Sequence, residues 1–338
     1  MSYRVCNEPR AQGEAMSPRA RVVALTTLAA LLAAAGAVAV GALQGERTGE
    51  VAAPAAPKLP EGPPPLTLDL GVRADVEARD LRRAERLYAG SDRAAAGRIF
   101  ARHESLEARV GAAFSRWPDG TLDRVSRLAG LHPRSALVQL HLGIAQAWSG
   151  VGDARAAWRS AADAEPDTAY AVIAGNLLHP AFARGLPVFV PAADLPDGFE
   201  RLTPRAQLER LERDSGSSLG GRLLYGTALQ RLARPVSAAR VFDAAARQAP
   251  DDVEAQVASA VGRFDKARPA EAFSRLGPLT RRFPRRATVR FHLGVLLLWS
   301  GQVREAKRQL RLARSAEPGS IHAREAGRYL EELRAAGI

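Results

Sequence analysis

Apolar residues fall along the chain in three patterns. From Val22 to Leu43 there are 22 consecutive uncharged residues, 9 of them Ala, enough at about 1.5 Å per residue to cross a hydrocarbon layer of about 30 Å. From 44 to 72 the pattern is broken by Pro54, Pro57, Pro60, Pro63, Pro64 and Pro65, which forbid a continuing helix and predict a Pro/Ala-rich, semi-extended linker. From 73 to 338 apolar residues recur with helical spacing in Ala- and Arg-rich amphipathic runs, and this region reads as all-α.

The helical region repeats itself. Pro250, Pro284 and Pro318 stand 34 residues apart, each closing an amphipathic run, with Ala238, Ala272 and Ala306 twelve residues before them. A 34-residue period in a helical chain predicts antiparallel helix pairs stacked in series. Residues 132–150 match 283–301 at 10 of 19 positions, offset by 151. That offset is four periods plus an excess, which places an insertion of about 16 residues within one divergent helix pair. Pro180, Pro187, Pro191 and Pro196 forbid helix there, so the insertion reads as a long loop over about 179–203, between helices near Thr168–Leu178 and Pro204–Arg213. Upstream, residues 74–131 read as two weaker helix pairs with turns at Gly90-Ser91 and Pro118-Asp119-Gly120, and residues 321–336 as a capping helix. The expected array is an α-solenoid of about six repeats.

The unit from Ala287 to Ser320 carries Leu293-Gly294, Ala306, Leu310, Ala313 and Pro318, and the unit from Leu219 to Asp252 carries Gly226, Ala238, Phe242, Ala245 and Pro250. On these residues the chain resembles the tetratricopeptide repeat family, in the style of its bacterial membrane-anchored or exported members. The unit between departs from the pattern, with Ala260 at the glycine place and Leu279 at the second alanine place. The resemblance implies a superhelix whose first helices line a concave groove for a protein partner. The residues it places there are Leu140, Ile144 and Trp148; Leu223, Thr227 and Arg231; Val257, Val261 and Phe264; and Phe291, Val295, Leu298 and Trp299. The Lys, Asn and Arg set with which some family members capture acidic C-terminal tails does not occur at these places. Trp299 is the expected anchor, with packing against a neighbouring helix as the rival reading, and the loop around Leu186–Pro196 is expected to act as a lid or specificity element without a packing role.

Charge sharpens the topology. Net charge is +12, and Leu219–Ile338 carries 22 Lys and Arg against 11 Asp and Glu. Only Lys58, Lys266 and Lys307 are lysines, so the positive charge is nearly all arginine. Arg281, Arg282, Arg285, Arg286 and Arg290 gather at one turn, and Arg304, Lys307, Arg308, Arg311 and Arg314 follow helical spacing. This reads either as a solvated face or as a surface for an anionic partner. Arg4, Arg10, Arg19 and Arg21 precede the apolar run in the basic segment 1–21, so the positive-inside rule puts the N-terminus in the cytoplasm and the repeats outside. A retained anchor over 22–43 competes with a signal peptide starting at Met16 and cleaved after Ala37-Val38-Ala39, which would give a secreted form. An outward-facing domain argues against nucleic acid as partner.

Little in the sequence suggests chemistry. The sole cysteine, Cys6, lies before the apolar run, where it can serve neither a lipoprotein site nor an internal disulfide. There is no Gly-rich phosphate loop, HExxH or GxSxG, and the six histidines never pair at ligand spacing. No catalytic residue, metal or cofactor is expected. His141 and His292 occupy equivalent repeat places, which suggests helix packing. The expected function is a non-enzymatic protein-interaction scaffold on the outer side of the cytoplasmic membrane, in envelope assembly. The alternatives are an accessory subunit of a membrane enzyme complex and an anionic-polymer or nucleic-acid binder acting through the basic C-terminal third.

Overall fold

A computed structural model describes residues 62–338, and the basic segment 1–21, the apolar segment 22–43 and most of the linker lie outside the described residues. Among the described residues there are fifteen α-helices and no strand. In chain order they are α1 Val76–Ala89, α2 Arg93–Phe100, α3 Leu106–Phe114, α4 Thr121–Leu131, α5 Ala136–Ser149, α6 Ala154–Ala164 and α7 Ala169–Leu178. After the loop come α8 Pro204–Ser215, α9 Leu219–Arg231, α10 Pro235–Gln248, α11 Val253–Gly262, α12 Ala270–Arg282, α13 Ala287–Trp299, α14 Val303–Ala316 and α15 Ile321–Ala335. Short polar residues start many of them: the side chains of Asp75, Asp92, Thr168 and Asp252 each accept the N–H three residues on, satisfying a donor the helix itself cannot.

The helices build two layers, as in an α-solenoid. Helices α1, α3, α5 and α7 touch in series, as do α9, α11, α13 and α15, while each of α2, α4, α6, α10, α12 and α14 packs on the helices before and after it. Helices α9, α11 and α13 start 34 residues apart, as the prolines predict. The close approach within a pair depends on glycine facing bulk. A Cβ on Gly226 would sit 2.3 Å from the Phe242 ring, one on Gly143 2.4 Å from Trp158, and one on Gly294 2.9 Å from Leu310, so each large side chain of the second helix lies in the notch left by a glycine of the first.

Two expectations about the middle of the chain need correction. Helices α7 and α8 do not pack extensively on each other, so the long loop is not an insertion within a helix pair; it divides two stacks. Buried apolar residues accordingly form two cores, one running from Leu66 to Ala174 and the other from Ala183 to Leu333. Helices α1–α7 and α9–α15 correspond one to one, so the offset of 151 is the length of a duplicated seven-helix unit with its connection. The last part of the expected linker is also no spacer: Leu66, Leu68 and Leu70 are buried in the first core.

Polar contacts join the halves. Asp167, in the turn before α7, accepts from the Ser237 N–H at 3.0 Å and from its hydroxyl at 2.6 Å, capping α10 of the other stack. Asp69 pairs with Arg234 at 2.8 Å. Lys266, 5% exposed, donates to the Ala183 carbonyl at 2.7 Å and to Asn176.

Candidate binding groove

The odd-numbered helices of each stack present a common face, and each face holds an extended piece of this same chain. Residues 64–70 form the first strap and residues 186–192 the second. Both are proline-flanked, so their backbone N–H and C=O groups cannot be satisfied within a helix. Side chains of the inner helices satisfy them instead.

The second strap is gripped over its whole length. The Gln230 amide accepts the Phe189 N–H at 2.8 Å and donates to the Pro187 carbonyl at 3.3 Å. The Thr227 hydroxyl lies 3.3 Å from the Phe189 carbonyl. His292 accepts the Val190 N–H through Nε2 at 3.0 Å, and His322 donates from Nε2 to the Val190 carbonyl at 2.8 Å. Glu254 accepts the Ala192 N–H at 2.9 Å. The Phe189 side chain, fully buried, stacks on the His292 ring at 4.7 Å and meets Phe242 edge-on at 5.5 Å. Upstream, the Ala183 N–H donates to the Trp299 carbonyl at 3.1 Å.

The first strap uses the same devices. His141, the counterpart of His292, accepts the Thr67 N–H at 3.4 Å. Glu85 accepts from Leu68 at 2.9 Å, the Tyr170 hydroxyl accepts from Asp69 at 2.8 Å, and the Tyr88 hydroxyl donates to the Pro64 carbonyl at 2.6 Å. The two histidines also share a tautomer. Nδ1 of His141 donates to the Leu137 carbonyl and Nδ1 of His292 to the Thr288 carbonyl, both at 2.8 Å, which leaves each Nε2 as a lone-pair acceptor aimed at the strap.

Burial sets the electrostatics of this face. Burial pushes the His141 pKa down to about 4 and that of His292 well below its ordinary value, with the neighbouring His322 adding to the second shift. Burial also lowers His322, raises Glu254 and Glu85, and brings Lys266 down to about 8. The straps are thus held by neutral imidazoles rather than by cations.

The residues expected to line an open groove are placed on these helices, but most are inaccessible. Leu140, Ile144, Leu223, Thr227, Val257, Val261, Phe264, Phe291, Val295, Leu298 and Trp299 are buried, Trp148 is half-buried and Arg231 is exposed. Trp299 is therefore core and not a partly exposed anchor. The loop does have a packing role, because Phe189 and Ala183 belong to the second core. The residues that grip the straps, among them His292, His322, Gln230 and Glu254, were not singled out as ligand contacts from sequence. Their signal is a polar side chain in an otherwise apolar first helix, recurring as His141 and His292 at the 151-residue offset.

The basic turn is only partly free. Arg282 pairs with Asp251 at 3.0 Å and Arg286 with Glu317 at 3.1 Å, while Arg290 bonds Gln309 at 3.1 Å. Arg281 and Arg285 are exposed with no carboxylate partner among the described residues, as are Arg304, Arg308 and Arg311 on α14. Among the described residues, no group of three or more His, Cys, Asp or Glu could hold a metal ion, and no helix is long and apolar enough to cross a membrane. No family model and no curated protein matches the chain.

Proposed function

We propose that this chain is a non-enzymatic protein-interaction scaffold of the tetratricopeptide type, and that its concave faces recognise extended polypeptide. The observation that carries this reading is that two different sequences, 64–70 and 186–192, are held in equivalent places by side chains that bond their backbones. Backbone recognition by preplaced side chains suits extended ligands of varied sequence. The glycine-to-bulk packing of Gly226 on Phe242 and Gly294 on Leu310 supports the family resemblance.

The apolar segment 22–43 and its flanking arginines place this scaffold on the outer side of the cytoplasmic membrane, with a cleaved, secreted form as the alternative. Envelope assembly is the corresponding role. Crosslinking in intact membranes followed by identification of the captured protein tests the scaffold reading, and a chain that crosslinks to no protein argues against it. Protease added to spheroplasts should digest the helical region, whereas its protection would reverse the topology. A second surface is favoured by the unpaired, exposed Arg281, Arg285, Arg304, Arg308 and Arg311, which suit an anionic partner.

A further inference from the structure

We infer that the second stack is a receptor for an extended segment of a partner protein carrying an aromatic residue two positions before a proline, and that residues 186–192 are its built-in competitor. The inference rests on the scaffold reading and names the ligand chemistry of that same face.

The strap itself reports what the site accepts. Phe189 is fully buried between the His292 ring and Phe242, so the central subsite takes a flat aromatic ring. Val190 follows, with both of its backbone groups read by histidine. Pro191 then stands where no side chain of the stack calls for an N–H, and Ala192 hands its own N–H to Glu254. The required pattern is aromatic, β-branched, proline, small, in extended conformation.

The connections of the straps show that such a segment need not belong to the stack it fills. The first strap reaches its groove from the N-terminal side of α1, and the second arrives through a loop that leaves α7 of the other stack. Equivalent histidines serve both. Beyond Ala192 the loop contributes no buried residue before α8, and Glu200, Arg201, Leu202 and Thr203 are exposed. Letting go of the strap therefore displaces a short segment centred on Phe189 and leaves the helix pairs in place.

The test uses the full chain and a fluorescent peptide of sequence LPVFVPAADLP, which is Leu186–Pro196. Phe189→Ala weakens the internal competitor while leaving the subsite intact. Because apparent affinity scales with the fraction of open receptor, the variant should bind the peptide about tenfold or more tightly than the unaltered chain. A peptide with Ala in place of its Phe should not bind.

A second variant covers the case in which Phe189→Ala does not fold. A protease site inserted between Arg201 and Leu202 lets the loop be cut after folding, with every strap contact present, and the cut chain should also gain affinity for the peptide. Failure of both folded forms to bind overturns the inference, as does equal binding by the unaltered chain and Phe189→Ala. Dimerisation that excludes the peptide would also overturn it and assign the groove to strap exchange between copies. Membrane crosslinking separates this result from the broader proposal: a captured protein together with a peptide that never binds leaves a scaffold working through another surface.

Discussion

Acid should loosen the first strap by a predictable amount. His141 is neutral in the fold, with Nδ1–H on the Leu137 carbonyl and Nε2 accepting from Thr67, and burial holds its pKa at about 4. An unfolded histidine titrates near 6.5. Between these values the unfolded chain binds the proton and the folded chain does not. The contribution to stability is therefore complete above about pH 6.5 and is lost as pH falls toward 4. From pH 7 to pH 4.5 the loss from this one site is roughly 2.5 kcal/mol. Protonation also turns the Nε2 acceptor into a donor facing the Thr67 N–H, so the strap should come away before the helices melt. Urea titrations at the two pH values measure the loss. Three of the four tryptophans, Trp117, Trp148 and Trp158, lie in the first half, so fluorescence reports mainly on that stack while far-UV circular dichroism sees both. Carboxylates add their own pH dependence, so the decisive quantity is the difference from His141→Gln, which should lack about 2.5 kcal/mol of the acid loss. Equal acid losses in the two proteins would refute the assignment of His141 as a buried neutral acceptor.

Other substitutions probe the remaining contacts. Trp299→Ala should cost about 3–5 kcal/mol of stability, because the side chain is 5% exposed and part of the second core; a drop in melting temperature of only a degree or two would contradict its placement. Gly226→Ala must push a methyl into Phe242 and should destabilise the second stack by about 1–3 kcal/mol in denaturant titration. Asp167→Ala removes the cap that one stack lends the other and should cost about 0.5–2 kcal/mol, seen as a weaker coupling between the fluorescence and dichroism transitions. Arg281→Glu with Arg285→Glu should leave stability within about 0.5 kcal/mol, since both are exposed and unpaired, while weakening any salt-sensitive binding of an anionic partner.

The parts of the fold that depend on local pattern were legible in the sequence. The proline spacing set the starts of α9, α11 and α13, and the helix boundaries around the long loop fall within two residues of expectation. Gly226 and Gly294 pointed to close pairs because glycine in a helix interior is costly unless something fills its notch. The occupied groove was not legible. Period arithmetic treats residues 179–203 as surplus, and no local rule tells that Phe189 will be stacked on a histidine 103 positions away. The same blindness made Leu66 to Leu70 look like linker, since a run of prolines and alternating leucines describes a free spacer and a docked strap equally well. Backbone donors provide the missing constraint: buried extended segments must find acceptors, and the histidines, glutamates and glutamine of the inner helices are where they find them.

The straps also impose an order on biosynthesis. Asp69 bonds Tyr170, 101 residues later, and Val190 bonds His322, 132 residues later. Each strap therefore emerges from the ribosome long before the last helix of its groove exists. Helix pairs close through contacts of short range and form quickly, whereas contacts of such long range come late. Each strap must wait unpaired through that interval, a period in which an apolar extended segment is prone to wrong association. Proline guards it during the wait, because a segment that lacks amide donors at Pro63, Pro64, Pro65, Pro187 and Pro191 makes a poor template for strand pairing and cannot be absorbed into a passing helix.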